Sequence, residues 1–239
     1  MNAPVAKLVE AAGKDTGNSV SQAGVSLTAS VYLQLRADLL SGKFLPNTRL
    51  AIKMLQERYG TGSSPIREVL SRLTAEGFVV QIDQRGFRVP AFCADELEEL
   101  TRGRCLLNEI IFREAIASAN DADDEAIIVA HFRLTRTPHD LPGSPGTLNP
   151  ESEEAHFRFH RALTAPCRLK TLLDFEEKLF ERSTRYRVLA ESQVRSTEAE
   201  HHAIMNAVLD RNTNLAIKLS NDHIMETASI AAAHLRSHT

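Results

Sequence analysis

Tryptophan is absent from this 239-residue sequence, and aromatic residues make up only 5% of it. Because large aromatic side chains are enriched in strands, their scarcity disfavours an all-sheet fold. Alanine, leucine, glutamate and arginine, which favour helices, are all abundant. A mainly α fold is therefore predicted, and the length allows one large domain or two small ones.

Cysteine is also scarce, since Cys93, Cys105 and Cys167 are widely spaced, odd in number and form no CxxC pair. They are predicted to be small core residues in a reducing compartment, which excludes a disulfide framework. No apolar run reaches the roughly 18 residues of a membrane span, and the first 25 residues lack the apolar stretch of a signal peptide. We expect a cytoplasmic protein without membrane contact, in which residues 1–25 form a flexible N-terminal tail.

The formal net charge of −3 hides a difference in charge between the two ends of the chain. Residues 1–92 carry 11 basic and 7 acidic side chains, whereas the remainder carries 17 and 24. A basic first third favours a module that binds a polyanion, joined to a second module with another role. Charge alone leaves open whether the polyanion is nucleic acid.

Residues 26–92 show the pattern of three helices followed by a β-hairpin. Apolar residues recur at helical spacing over 27–40, and the stretch SGKFLPN then ends that helix with Gly and Pro. A second short helix is predicted over 50–59, and a third ends at Gly77. The stretch FVVQIDQRGFRV contains two β-prone runs around the turn DQRG. This order of elements predicts a winged helix-turn-helix.

The third helix begins with SSPIREVL, for which a serine N-cap is predicted, with Pro65 at the first helical position. Its apolar residues form one stripe, and Ser63, Ser64 and Arg67 share the opposite side. Small polar residues around one long guanidinium allow a helix to approach a DNA major groove closely. Together with the glycine turn and the basic wing RGFR, this pattern favours DNA binding over an ordinary solvated helix face.

From residue 93 to residue 239 the pattern is helical, and a C-terminal all-α helical bundle is predicted. Five helical stretches are expected: 95–119, 122–136, 150–165, 168–190 and 193–236. The last of them contains a break near Asn212 and Asn214. The stretch TPHDLPGSPGTLNP, residues 137–150, is rich in Pro and Gly and is predicted to be a surface loop.

Nine histidines are present, and His156, His160, His201 and His223 lie on three predicted helices of this bundle. His156 and His160 are four residues apart, so they point from neighbouring turns of one helix face. His201 and His223 are in register with apolar neighbours, whereas His202 lies about 100° around its helix and is the weaker candidate. Imidazole is the commonest metal ligand, and nitrogen donors suit zinc first, with nickel as the alternative. Histidines that only fill the core remain the other interpretation.

Arg104 shares a helix face with leucines, so its charge is expected in the apolar interior, where an arginine needs a partner. An ordinary ion pair and a contact with a bound effector are both open. Asn108, one turn further on, and Tyr186, on the inward face of LFERSTRYRVL, are weaker candidates for lining the same cavity.

Two parts of the sequence resemble one family of bacterial regulators. The stretches LLSGKFLPNTRL, LQERYGTGSSPIREVLSRLTAEGFV and QRGFRV, within residues 27–90, resemble the DNA-binding domain of GntR-type transcription regulators. The helical remainder resembles the metal-binding effector domain of the FadR-like branch through TRGRCLLNE, FHRAL, EHHAI and DHI. The resemblance implies a homodimer that binds a palindromic double-stranded DNA operator in response to a small anionic metabolite.

In that family the second helix, the first turn of the third helix and the tip of the wing contact DNA. By position, the resemblance and the basic wing together select Lys53, Ser63, Ser64, Arg67, Arg85 and Gly86. Many relatives carry arginine where this sequence has Ser63, so more of the base recognition is expected to fall to Arg67.

The resemblance also implies that His160, His201 and His223 bind a metal and that Arg104 binds the carboxylate of an effector. In relatives the fourth ligand is usually aspartate, one turn before the first histidine, and this sequence has His156 there. Four neutral ligands leave the double positive charge of the ion uncompensated, which favours a bound anion.

Three functions are therefore weighed. The leading hypothesis is a DNA-binding transcription regulator, not an enzyme, whose operator binding is controlled by a carboxylate metabolite at the metal-containing helical domain. A metal sensor, in which the ion itself is the signal, is the first alternative. A metal-dependent hydrolase is the weaker alternative, because no HExxH or similar acid–base pattern accompanies the histidines.

Overall fold

The structure is a computed structural model that describes residues 26–83, 85–190 and 196–237. The predicted tail, 1–25, and the predicted start of the last helix at 193 lie outside these residues. The described residues form nine helices and two small sheets, so the predicted mainly α fold is confirmed. None of the described helices combines the length and the apolar character that a membrane span needs.

The N-terminal part is the predicted winged helix-turn-helix. Its elements are α1 (Leu27–Leu40), β1 (Arg49–Leu50), α2 (Ile52–Tyr59), α3 (Ser63–Ala75), β2 (Val80–Ile82) and β3 (Gly86–Arg88). The three strands form an antiparallel sheet in the order β1-β3-β2. The sequence pattern missed β1 and began the second helix at residue 50. Leu50 instead pairs with Phe87, and a two-residue strand held by such a distant partner leaves no local pattern.

The start of α3 differs from the prediction of a serine cap. Gly62 is the N-cap residue, with extended backbone and no side-chain cap hydrogen bond, and Ser63 and Ser64 are the first two helical residues. Their hydroxyls are therefore not placed to cap the helix. Pro65 is instead the third helical residue. An N–H at this position would have no intrahelical acceptor, so the missing N–H of proline still costs no hydrogen bond.

The core of the winged domain lies between α1, α3 and the sheet. The predicted apolar stripe of α3 is buried at Ile66, Leu70 and Leu73, and Leu35 of α1 and Leu55 of α2 are fully buried with it. A hydrophobic interior of this kind supplies most of the free energy that holds a small domain together.

One carboxylate, Asp38 at the end of α1, is buried in this domain, at 7% exposure. It accepts hydrogen bonds from Lys43 Nζ at 2.7 Å, Arg58 Nη2 at 2.8 Å and Tyr59 Oη at 2.9 Å. Burial alone would raise the pKa of Asp38, but these three donors lower it below its usual value. The network joins the end of α1 to the end of α2.

The C-terminal part is the predicted helical bundle. Its helices are α4 (Ala94–Ser118), α5 (Asp121–Arg136), α6 (Pro150–Thr164), α7 (Lys170–Ala190), α8 (Glu198–Leu209) and α9 (Thr213–Ser237). The predicted break near Asn212 is confirmed, since α8 ends at Leu209 and Arg211 has a positive φ of 56°. Helix α4 packs mainly against α9 and α7, and α5 packs against α6.

The stretch predicted as a loop contains a short antiparallel hairpin. Its strands are β4 (Asp140–Leu141) and β5 (Ser144–Leu148), joined around Gly143, which has a positive φ of 81°. Proline and glycine dominate the local pattern, so the sequence predicted the turn correctly but missed the pairing beside it.

The cysteines are free, but only Cys167 is a buried core residue as predicted. Cys105 is half-buried, and Cys93, the residue before α4, is exposed, so the prediction was wrong for Cys93. Its position in the link between the two domains explains the exposure.

The winged domain contacts the helical domain mainly through α7. Arg36 of α1 forms an ion pair with Glu181 of α7. Gly77, which follows α3, lies beside Arg182, and Gly42, which follows α1, lies beside Val188. Helix α7 is therefore an element through which one domain can influence the other.

Candidate metal centre and nucleic-acid interface

Four histidines meet between three helices of the bundle. His156 and His160 lie on α6, His201 on α8 and His223 on α9. Their ring centroids are separated by 4.5 to 6.4 Å, and their potential ligand atoms all lie within 4.8 Å of one another. His201 and His223 are buried, as their register predicted, and His202 is exposed.

The separations fit one small metal ion after a slight contraction. His156 Nε2 and His160 Nε2 are 3.1 Å apart, close to the about 3.4 Å between tetrahedral ligands at about 2.1 Å from zinc. The widest separation, 4.8 Å, exceeds the about 4.2 Å that two ligands on opposite sides of such an ion reach. Small ring rotations would close that difference.

The protonation states of the histidines also suit a metal. Burial, followed by the positive charges of neighbouring imidazoles and arginines, holds the pKa of His156 and of His160 well below the usual range. Burial lowers the pKa of His201 to about 3. These rings are therefore neutral at pH 7, which is the form that binds a metal. His201 Nε2 is buried without a hydrogen-bond partner, so its capacity to bind is not used by the protein.

A glutamate that the sequence analysis missed orients one of the four rings. Glu200 Oε2 lies 2.8 Å from His223 Nδ1, and because a carboxylate only accepts, Nδ1 donates and Nε2 keeps its lone pair. Carboxylates in this position fix the tautomer of metal-binding histidines. Glu200 stands directly before His201 in the sequence, but only the packing of α8 on α9 brings it to His223.

Beside the histidines lies a small cavity of about 30 Å³. Arg104 and three of the histidines line it, as predicted for Arg104. Its other lining residues were not predicted from the sequence: Phe180, Ser183, Thr184, Arg187, Ile224 and Thr227. Most of these residues lie on α7, and Tyr186 was the one residue of this helix that was predicted to line the cavity.

Arg104 is largely buried, with 12% of its side chain exposed, and it is only weakly paired. Its Nη2 lies 3.5 Å from Glu176 Oε1, its guanidinium lies 4.9 Å from the centre of the Phe180 ring, and its Nε has no hydrogen-bond partner. Burial lowers the pKa of Arg104 and raises that of Glu176. A guanidinium with an unused donor beside a cluster of metal ligands is suited to an anionic ligand.

The other two predicted effector residues lie elsewhere. Asn108 is buried, donates to Asn221 Oδ1 at 2.8 Å and accepts from Ser220 Oγ at 3.3 Å. Tyr186 donates to Glu96 Oε2 at 2.5 Å and packs against Phe92. Neither residue is among those that line the histidine cavity. Their inward register was predicted correctly, but each hydrogen-bonding group is already satisfied by the fold.

The charge around the site is better balanced than the sequence analysis expected. Arg187 adds a second positive side chain, but it pairs with Glu153 of α6. Together with Glu176 and Glu200, three carboxylates surround the cluster. Two arginines and a divalent ion exceed these carboxylates by one positive charge, so the site still favours a single anion.

A separate surface of the winged domain carries the predicted DNA contacts. All six residues are exposed: Lys53, Ser63, Ser64, Arg67, Arg85 and Gly86. Among the described residues, none of the three cations in this set forms an ion pair. Gly86 has a positive φ of 87° and no atom within 4 Å of a Cβ built there, so the tip of the wing can approach another molecule closely.

The uncapped start of α3 supports the same surface. No side chain satisfies the first N–H groups of this helix, and such groups are favourable contacts for a phosphate. Arg67 projects one turn further along the same helix, where a long side chain reaches a base edge or a phosphate.

Comparison with known proteins identifies both domains of the chain. Residues 27–89 match the family model described as bacterial regulatory proteins, gntR family, and residues 99–226 match the FCD domain. The chain is 31% identical over 201 residues to the transcriptional repressor GlaR of Escherichia coli K12, covering 81% of this chain and 90% of that protein. It is 30% identical over 209 residues to the uncharacterised regulator BphR of Paraburkholderia xenovorans LB400, with 86% and 85% covered.

A solved structure shows the same fold. Escherichia coli McbR/YncC superposes with a TM-score of 0.74 at 20% sequence identity, covering 89% of this chain and all of that chain. The relatives are named as transcriptional regulators, and the winged domain supplies the DNA-binding surface. The chain therefore belongs to the gntR family of bacterial regulatory proteins, in the branch that carries an FCD domain, and is a DNA-binding transcription regulator.

Proposed function

We propose that a small carboxylate metabolite controls operator binding by this regulator from a site formed by the histidine cluster and Arg104. The four histidines would hold a divalent transition metal, with zinc preferred and nickel as the alternative. When bound, the ion supplies positive charge that attracts and orients the carboxylate. The protein would act in the cytoplasm as a homodimer on a palindromic operator.

The observation that carries this proposal is the shared cavity. Arg104 and the histidines line the same small space, and Arg104 has a buried donor without a partner. A carboxylate has two oxygens, so it can satisfy the guanidinium while it neutralises the excess positive charge of the centre. Ser183 and Thr184 add hydroxyl groups that can bind the polar substituents of a small acid.

The cavity also suggests how binding of a metabolite could change the position of the DNA-binding surface. The cavity is small, about 30 Å³, so a metabolite that enters it would displace part of its wall. Helix α7 forms much of that wall, and its outward residue Glu181 pairs with Arg36 of the winged domain. A ligand that binds one position of α7 better than another would shift the position of the DNA-binding surface.

An exposed apolar surface supports self-association. Leu106 and Ile110 of α4 are 60% and 49% exposed, and Met225 of α9 is 48% exposed. The hydrogen bond from Arg113 to Asn214 joins the same two helices at their exposed seam. We propose that a second copy covers this surface, because two winged domains are needed to bind the two halves of a palindromic operator.

The test is calorimetry of the zinc-loaded protein with acetate, malonate and succinate, with acetamide as the neutral control. We expect carboxylate binding that weakens at least tenfold in Arg104→Gln, with the zinc content unchanged. His156→Asp should keep the metal, because carboxylate is an acceptable zinc ligand, and should weaken anion binding by cancelling part of the positive charge. Equal binding of acetamide, or unchanged anion affinity in both variants, would contradict the proposal.

One observation favours a metal sensor as the second candidate function. Four protein nitrogens that lie within 4.8 Å of one another would complete a tetrahedral zinc site. Closed sites are typical of structural or sensory ions, whereas catalytic ones keep an open position. Titration of operator binding with buffered free zinc separates the two functions. A sensor responds to zinc across its binding range without a metabolite, whereas a metabolite-controlled regulator responds only when the carboxylate is added.

A further inference from the structure

A second cavity, of about 160 Å³, lies between the winged domain and the helical domain. It is lined from the winged domain by four apolar side chains together with Ser41 and Gly42, and from the helical side by Phe92, Arg185 and Val188; the four apolar residues are Leu39, Phe44, Leu45 and Pro46. Its walls are therefore mainly apolar, with one cation. It is distinct from the histidine cavity, which lies on a different face of α7 and contains other residues.

The cation in this apolar cavity is incompletely paired. Arg185 is only 8% exposed, and its Nη2 is buried without a hydrogen-bond partner. Its guanidinium lies 5.4 Å from the centre of the Phe92 ring. The nearby carboxylate of Glu96 accepts hydrogen bonds from Tyr186 and Arg182 instead. A buried guanidinium with an unused donor is costly to maintain unless a ligand completes its hydrogen bonds.

We propose that this inter-domain cavity is a second ligand site, for a small monocarboxylate with a compact apolar body. The carboxylate would pair with Arg185, and the body would pack against Phe44, Leu45 and Val188. A cavity of about 150 Å³ lined by apolar side chains is large enough for a benzene molecule. The available volume therefore suits one six-membered ring or a short branched chain, and excludes long acyl chains.

The position of the site gives the ligand a regulatory role. Leu45 belongs to the segment between α1 and β1 of the winged domain, whereas Arg185 and Val188 belong to α7. A ligand that contacts both would stabilise one arrangement of the two domains. Thr184 and Arg185 are neighbours on α7 but line different cavities, so the two sites would act on one helix.

The test uses the full-length zinc-loaded protein, with benzoate as the probe and benzyl alcohol as a neutral probe of similar shape. We expect benzoate to bind, and Arg185→Gln to weaken that binding at least tenfold while the melting temperature and zinc content stay close to wild type. In Arg104→Gln the benzoate affinity at this site should persist, which separates this inference from the proposed function of the histidine site. Leu45→Ala, at a side chain that is 61% exposed and therefore safe for folding, should weaken binding about threefold through lost apolar contact.

Three results would overturn the inference. One is no benzoate binding to the Arg104→Gln protein, and another is equal benzoate affinity in Arg185→Gln and wild type. The third is binding of benzyl alcohol or inorganic phosphate as tight as that of benzoate, which would remove the requirement for a charge and an apolar body together. If Arg185→Gln does not fold, an unchanged benzoate affinity in Leu45→Ala would still count against the site.

Discussion

The winged domain and the helical domain differ in how many polar side chains they bury, although both fold around apolar cores. Among the described residues, Asp38 is the one buried polar side chain of the winged domain. The helical domain buries seven: Asn108, Asn149, Ser152, Arg185, His201, Ser220 and His223. In the proposed function, the winged domain recognises DNA with exposed residues, whereas the helical domain receives its ligands inside.

The buried polar groups also differ in how well they are satisfied. Asp38 accepts hydrogen bonds from three donors, so its network stabilises the winged fold on its own. His201, Arg104 and Arg185 each have a buried nitrogen without a partner. Arg36 Nε and Thr61 Oγ1 of the winged domain are also without a partner, but they do not cluster as the histidine nitrogens do. Because an unsatisfied buried group costs free energy, a ligand that enters the histidine cluster should stabilise the helical domain more than the winged domain.

Metal removal should produce the largest effect on stability, and it should affect the helical domain far more than the winged domain. At free zinc about a thousandfold above the dissociation constant, binding should stabilise the helical domain by about 4 kcal/mol. Chelation, or His201→Ala at a proposed ligand position, should therefore lower the melting transition of the helical domain strongly. The transition of the winged domain should move little. Differential scanning calorimetry with and without a chelator measures both.

The neighbouring His202 provides a matched control, because it lies on the same helix but is exposed. His202→Ala should leave zinc content and both transitions within experimental error of wild type. Equal loss of zinc in His201→Ala and His202→Ala would show that binding occurs at surface histidines, and the buried cluster would then lose its assigned role.

The sequence predicted what depends on local pattern. Helical spacing placed the apolar stripes of α3, and the register of His201 and His223 gave their inward direction correctly. Family resemblance supplied the link between the histidines on separate helices, which spacing alone cannot show. Neither spacing nor resemblance indicated that the packing of α8 on α9 brings Glu200 to His223. Pairing across long distances was missed for the same reason, both in β1 and in the ion pair of Arg187 with Glu153. For Arg104 an ion pair was one of the two predicted possibilities, but its partner Glu176 could not be named from the sequence.

A core truncation in the winged domain should have the next largest effect. Leu55 is fully buried, so Leu55→Ala should destabilise that domain by about 3 kcal/mol through lost burial and a residual cavity. Leu33→Ala, at a 59% exposed position of α1, is the control and should change stability by less than about 0.5 kcal/mol. Zinc content should be unchanged in both. Loss of zinc in Leu55→Ala would show that the two domains do not fold independently.

The Asp38 network should contribute less, and in a manner that depends on pH. Two of its donors are partly exposed, so screening by solvent reduces the effect of Asp38→Asn to about 1.5 kcal/mol at pH 7. The pKa of Asp38 is lowered in the folded state, so this stability is present above its usual value near 3.8 and is lost as the pH falls through the lower folded value. Urea unfolding from pH 7 to pH 3 should show the difference from wild type shrinking only at the acid end. A difference that grows toward low pH would be inconsistent with the lowered pKa.

Arg67→Ala should have the smallest effect on folding and a clear effect on function, because Arg67 is exposed and has no ion pair among the described residues. The free energy of unfolding of the Arg67→Ala protein should change by less than about 0.5 kcal/mol. Its specific operator binding should weaken by about 1–3 kcal/mol if the arginine side chain contacts a guanine. A mobility-shift assay on operator and unrelated DNA at two salt concentrations distinguishes the roles. A uniform loss on all DNA, with a salt slope reduced by about one, would make Arg67 a phosphate contact. Unchanged affinity for both DNAs would remove it from the interface and leave recognition to Lys53, the wing and the uncapped start of α3.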